Sequence, residues 1–132
     1  MPLHRPTLLR RALAADAIAS GLMGVLLIAA AGPLADLFGF QPSFLLTVGL
    51  LLMPWTAWVG WLATRTEPSR VQVWAVVGLN TLWVVDSVLL LLSGWGQPSP
   101  LGIAFVIAQA VAVGIFAELQ FIGQRRTTLS AA

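Results

Sequence analysis

The chain has 132 residues, of which 58% are hydrophobic and only 9% charged. A soluble domain carries about 25% charged residues, so this composition excludes a water-compatible surface and points to the bilayer. The basic balance comes from seven Arg against five acids, with no Lys. The Arg residues sit at the ends of apolar runs rather than in one stripe, so nucleic acid is not the expected partner.

Missing residue types narrow the chemistry. With no Cys, thiol exchange, thiolate metal sites and Cys nucleophiles are excluded. With no Lys, a Schiff base is excluded. His4 is the single His, so a bis-His haem within one chain and a His-rich metal site are excluded as well. The sequence carries no Gly-rich phosphate loop and no Ser beside a His base. The expectation is a protein that is not an enzyme and needs no cofactor or metal.

Four apolar stretches follow in chain order, at about 12–31, 43–63, 71–93 and 101–123. Each is close to the ~20 residues needed to cross a ~30 Å hydrocarbon core. None shows the alternation of a membrane barrel strand. The first follows Arg5, Arg10 and Arg11 like a signal peptide, but its length suits a retained span better than a signal core. Gly32-Pro33 is expected to end it. The segment from Pro33 to Phe40 places Leu34, Leu37 and Phe38 as a short helix lying in the interface.

Pro42 is placed to open the second span. Pro54 is expected to kink it by freeing the Leu50 carbonyl. Trp55, Trp58 and Trp61 suit an interfacial anchor, or less simply an aromatic cage. Glu67-Pro68-Ser69 separates the second span from the third. Gly94 to Pro100 separates the third from the fourth, with Ser99 as N-cap. Gln41-Pro42-Ser43 and Gln97-Pro98-Ser99 hint at a repeated hairpin, as found in some transporters. The fold expected is therefore all-α: one integral membrane four-transmembrane-helix bundle. All seven Arg fall on one side of it, which the positive-inside rule makes cytoplasmic, with both termini inside.

Polar residues within spans are the functional candidates, since an ionisable group there costs roughly 2.5–3.5 kcal/mol on insertion scales. Asp86 lies ~10 Å from the far end of its span, and Gln109 ~12 Å, by helical rise. The two are expected to share a level and a hydrogen bond, either structural or functional. Asn80 lies ~14 Å deep and shares a face with Trp83 and Ser87. That face either lines a ligand cavity or joins helices. Asp16, Ser20 and Gly24 repeat the spacing of Ala110, Gly114 and Glu118. This predicts that the first and fourth spans pack with Asp16 beside Glu118, sharing a proton, or with both acids reaching water or arginine.

Gly32-Pro33-Leu34-Ala35, the stretch from Leu79 to Ser87, and Ala117-Glu118-Leu119-Gln120 resemble a group of uncharacterised bacterial inner-membrane four-helix proteins. The resemblance covers most of the chain, implies that fold and location, and implies no activity. The chain is also similar to small multidrug transporters in having four spans with a carboxylate, Asp16, in the first. Their carboxylates lie deeper, and dimers of opposed topology need a weaker charge bias than seven Arg on one side. The functions expected are an accessory or scaffold protein of a larger membrane complex, or one binding a lipid-like small molecule. The alternatives are a proton-coupled carrier acting as a homo-oligomer and, least favoured, a lipid enzyme. The lipid bilayer is the one partner expected in every case.

Overall fold

The computed structural model describes residues 7–131, with side chains described through Arg126. His4 and Arg5 lie outside the described residues. Among the described residues all regular structure is helical: α1 (Leu8–Ala29), α2 (Ala31–Phe38), α3 (Pro42–Thr64), α4 (Arg70–Ser93) and α5 (Pro100–Ala131). The four long helices are long and apolar enough to cross a membrane.

Local chemistry sets their ends. The Thr7 hydroxyl accepts from the Arg10 amide at 3.2 Å and caps α1, and Ser69 caps α4 through the Gln72 amide at 3.4 Å. A side-chain oxygen here satisfies an amide that has no partner within the helix. Pro42 and Pro100 open α3 and α5, where a missing amide costs nothing. Gly39 and Gly94 close α2 and α4 with φ of 80° and 70°, a conformation natural to glycine. The helix runs unbroken through Pro54.

Two expectations are corrected here. The first span ends at Ala29, and Gly32-Pro33 belongs to the opening turn of α2 rather than to a break. A proline in a first turn fits a helix start as well as it ends another. The repeated tripeptide also does not occupy equivalent places. Gln41 is the N-cap of α3, whereas Gln97 sits in the turn at φ 48° and Ser99 takes the capping role before α5.

Between membrane helices the hydrophobic effect is weak, so close packing and hydrogen bonds carry the association. α1 lies between α3 and α5, and α4 packs on α5. Glycine makes these approaches possible. A Cβ on Gly49 would stand 2.9 Å from the Gly24 carbonyl oxygen, and one on Gly123 would stand 2.7 Å from the Leu9 backbone. The first and fourth spans do pack together, with Gly123 against Leu9 and Gln120 against Asp16. Gly24 meets Gly49, Leu52 and Met53 of α3, while Gly114 faces Val84 of α4. Of the residues in the shared spacing, Gly24 and Gly114 therefore face other helices, while Asp16 does reach α5, through Gln120.

Two apolar cores result. One, near the arginines, gathers Leu9, Leu13, Ala17, Val59, Leu62, Val73 and Val76. The other, at the opposite end, gathers Leu27, Ala35, Phe38, Phe40, Leu45 and Val106. In the second, α2 docks inward through Ala35 and Phe38, and Phe38 stacks on Phe105 with centroids 4.5 Å apart. Ser99 ties the two loops at this end together. Its hydroxyl donates to the Leu37 carbonyl at 2.6 Å and accepts from the Gly102 amide at 3.1 Å, and its own amide donates to the Phe38 carbonyl at 2.8 Å.

Candidate functional site

Between the two cores lies a polar cluster built by all four long helices. Asp16 of α1 is its centre and is 1% exposed. Its Oδ1 accepts from the Ser20 hydroxyl at 3.0 Å and the Trp55 indole N–H of α3 at 3.4 Å. Its Oδ2 accepts from Asn80 Nδ2 of α4 and from Gln120 Nε2 of α5, each at 2.8 Å. Asn80 Nδ2 also donates to Gln120 Oε1 at 2.9 Å, closing a ring of three side chains. Four donors fill the lone-pair sites of one carboxylate, and all four are neutral.

The helices bring these groups together for local reasons. Ser20 is one turn beyond Asp16, so its hydroxyl falls on the same face. Asn80 lies on the buried stripe of α4 with Val73, Val76 and Ser87. Gln120 lies on the stripe of α5 with Ala117 and Gln124, all buried. Next to the cluster, Trp55 packs edge-on against Trp58 with centroids 5.6 Å apart. The Trp58 indole donates to Gln72 Oε1 at 2.7 Å, which joins α3 to α4. The tryptophans are thus not one anchor. Trp55 and Trp58 point at polar partners inside the bundle, and of these three only Trp61, 48% exposed beneath the Arg65 guanidinium, faces outward.

A second, smaller network joins α4 to α5 nearer the other end. The Trp83 indole donates to Gln109 Oε1 at 2.6 Å. Gln109 Nε2 donates to Ser87 Oγ at 3.0 Å and to the Val106 carbonyl at 2.9 Å. The Ser87 hydroxyl donates to the Trp83 carbonyl at 2.8 Å. Beside it, the two helices leave an open apolar groove of about 310 Å³, lined by Val84, Val88, Leu91, Ile107, Val111 and their neighbours.

The six candidates therefore separate. Asp16 and Asn80 meet in the first network, and Trp83 and Gln109 in the second. Asp86 and Glu118 join neither and are exposed on the outer faces of α4 and α5. The expected bond between Asp86 and Gln109 is replaced by Trp83 and Ser87, because Asp86 is turned ~100° from Ser87 around the helix. The expected neighbour of Asp16, Glu118, is likewise two positions from the inward-facing Gln120, a rotation of ~200°. Asn80, Trp83 and Ser87 do share the buried side of α4, but they serve two networks.

Gln120, Ser20 and Trp55 were missed as partners of Asp16. For Gln120 a signal existed in the inward spacing Ala117, Gln120, Gln124. It was obscured because glutamine near the end of an apolar run reads as the start of the polar flank. No protein-family model, curated protein or solved structure matches this chain.

Proposed function

We propose that this chain is an accessory membrane protein: a bundle locked from within that works by presenting its outer surface to another membrane component. In this reading it resides in a bacterial inner membrane with both termini cytoplasmic and α2 at the opposite interface. The orientation follows from the arginines at one end of the bundle.

One contrast supports the reading above all others. The carboxylate and amides of the interior are engaged with one another, with Asp16 held by four donors from within the chain, and the Thr56 hydroxyl is the buried side-chain oxygen left without a partner among the described residues. Asp86 and the apolar groove between α4 and α5 face outward instead. Such an arrangement suits holding a shape against a partner better than passing a solute through the middle.

Native mass spectrometry from nanodiscs tests this. A stoichiometric complex with a second membrane protein is the expected result. A bare monomer, or a homo-oligomer retaining a small solute, would contradict it.

The second reading, a proton-coupled carrier acting as an oligomer, draws on Asp16 itself. It is a buried carboxylate among neutral partners, the kind of group that exchanges protons in membrane carriers. Under that reading Asp16→Asn abolishes solute-driven proton uptake in vesicles while the bundle still folds.

A further inference from the structure

We propose that Asp86 docks a transmembrane helix of a different protein, one carrying a basic side chain at the matching depth. The inference rests on the accessory reading above and names the chemistry of the partner.

Asp86 stands seven residues from Ser93, the last residue of α4, which is ~10 Å inside the helix end. It is exposed on the outer face of α4. Its surroundings there are apolar: Leu82, Val85 and Leu89 are 51%, 47% and 55% exposed. A carboxylate facing hydrocarbon is costly, and such groups pair with other side chains or face the interior of an assembly. Inside the chain, the nearby polar side chains of α4 and α5 are already engaged with each other, as Trp83, Ser87 and Gln109 show.

Charge complementarity selects the occupant. The described arginines, Arg10, Arg11, Arg65, Arg70, Arg125 and Arg126, all stand at the other end of the bundle, because they flank the start of α1 and α4 and the end of α3 and α5. Glu118 shares its half of α5 with Arg125 and Arg126, while Asp86 has no arginine in its half. A second copy in the same orientation brings only another Asp86 to that depth. The cation must therefore come from a different chain. A basic side chain on a single apolar helix would be costly for the same reason, so pairing removes two penalties at once.

The absence of Cys allows a clean test. Leu92→Cys, at a site 79% exposed, carries a donor fluorophore in protein reconstituted in phosphatidylcholine vesicles. Acceptor-labelled single-span leucine helices are added, with one Arg placed at the depth of Asp86, one at mid-membrane, or none. The expected result is energy transfer to the depth-matched Arg helix, weakened about tenfold or more by Asp86→Leu, as loss of a charge-assisted bond implies. Equal binding of all three helices, or no loss in Asp86→Leu, would overturn the proposal. So would wild-type self-association that Asp86→Leu abolishes, which would make a second copy the occupant. Native mass spectrometry separates the two claims. A complex that survives Asp86→Leu leaves the accessory reading standing and removes Asp86 from it. A wild-type chain without a partner removes that reading, and the Arg-helix measurement then decides the affinity of Asp86 alone.

Discussion

Asp16 and Asp86 lie at similar depths from opposite ends of the bundle, ~12 Å and ~10 Å by helical rise, yet the molecule treats them in opposite ways. Asp16 is enclosed by α1, α3, α4 and α5 and accepts four hydrogen bonds. Asp86 looks out from α4 among leucines and valines. The difference lies in helix rotation, not depth. Asp16 shares a face with Leu9, Leu13 and Ala17, which are buried against the neighbouring helices. Asp86 lies outside the stripe of Asn80 and Ser87 that α4 turns inward. A carboxylate in a span can thus serve as a cross-link or as a surface group according to where ~100° per residue carries it.

The contrast can be tested hardest where backbones meet. Gly123→Val would push α5 away from the Leu9 backbone and pull Gln120 off Asp16. An overpacking cost of about 3 kcal/mol, or loss of the folded state, is expected in unfolding titrations in mixed micelles. Gly114→Ala, in open contact with Val84 at 3.9 Å, should leave stability within about 0.5 kcal/mol.

A smaller effect is expected within the ring. Asn80→Leu and Gln120→Leu should each cost about 1–2 kcal/mol, in the range of interhelical hydrogen bonds in membranes. Their combination should cost clearly less than the sum, because each removes a bond the other shares. A double-mutant cycle measures that coupling. Additive losses would mean that the ring does not act as a unit. Gln109→Leu, which touches only α4 and α5, should cost about 1–2 kcal/mol and leave the Asn80–Gln120 coupling of that cycle unchanged. Ser99→Ala should cost about 1 kcal/mol as a lost cap. It should speed amide exchange at Gly102 and in the last turn of α2, without reaching the Asp16 ring.

These expectations also mark what the amino-acid sequence could convey. The four spans were legible because length and hydropathy alone define them. The helix starts at Pro42 and Pro100 and the cap at Ser99 were legible because their chemistry is local. Rotation was not legible. The spans are apolar on nearly every side, with Leu22, Leu50, Leu82 and Ile107 exposed on different helices, so no hydrophobic stripe marks the inward face. That is why spacing alone pairs Asp16 with Glu118 instead of Gln120, and Asp86 with Gln109. The spacing of small residues correctly brought α1 beside α5 but assigned Gly24 to the wrong helix, since Gly49 offers the same smooth surface. Trp55 looked like an anchor because its partner, Asp16, is thirty-nine residues away in sequence.

The most direct measurement compares Asp16→Leu with Asp86→Leu by reversible unfolding in the same mixed micelles. If Asp16 locks the four spans, its loss strands donors on three other helices. The cost should then be about 2–3 kcal/mol, four membrane hydrogen bonds at ~0.6 kcal/mol each. Asp86→Leu should change stability by less than about 0.5 kcal/mol. Equal losses for the two variants, or a larger loss for Asp86→Leu, would contradict the assignment of Asp16 as the internal lock and of Asp86 as the outward group.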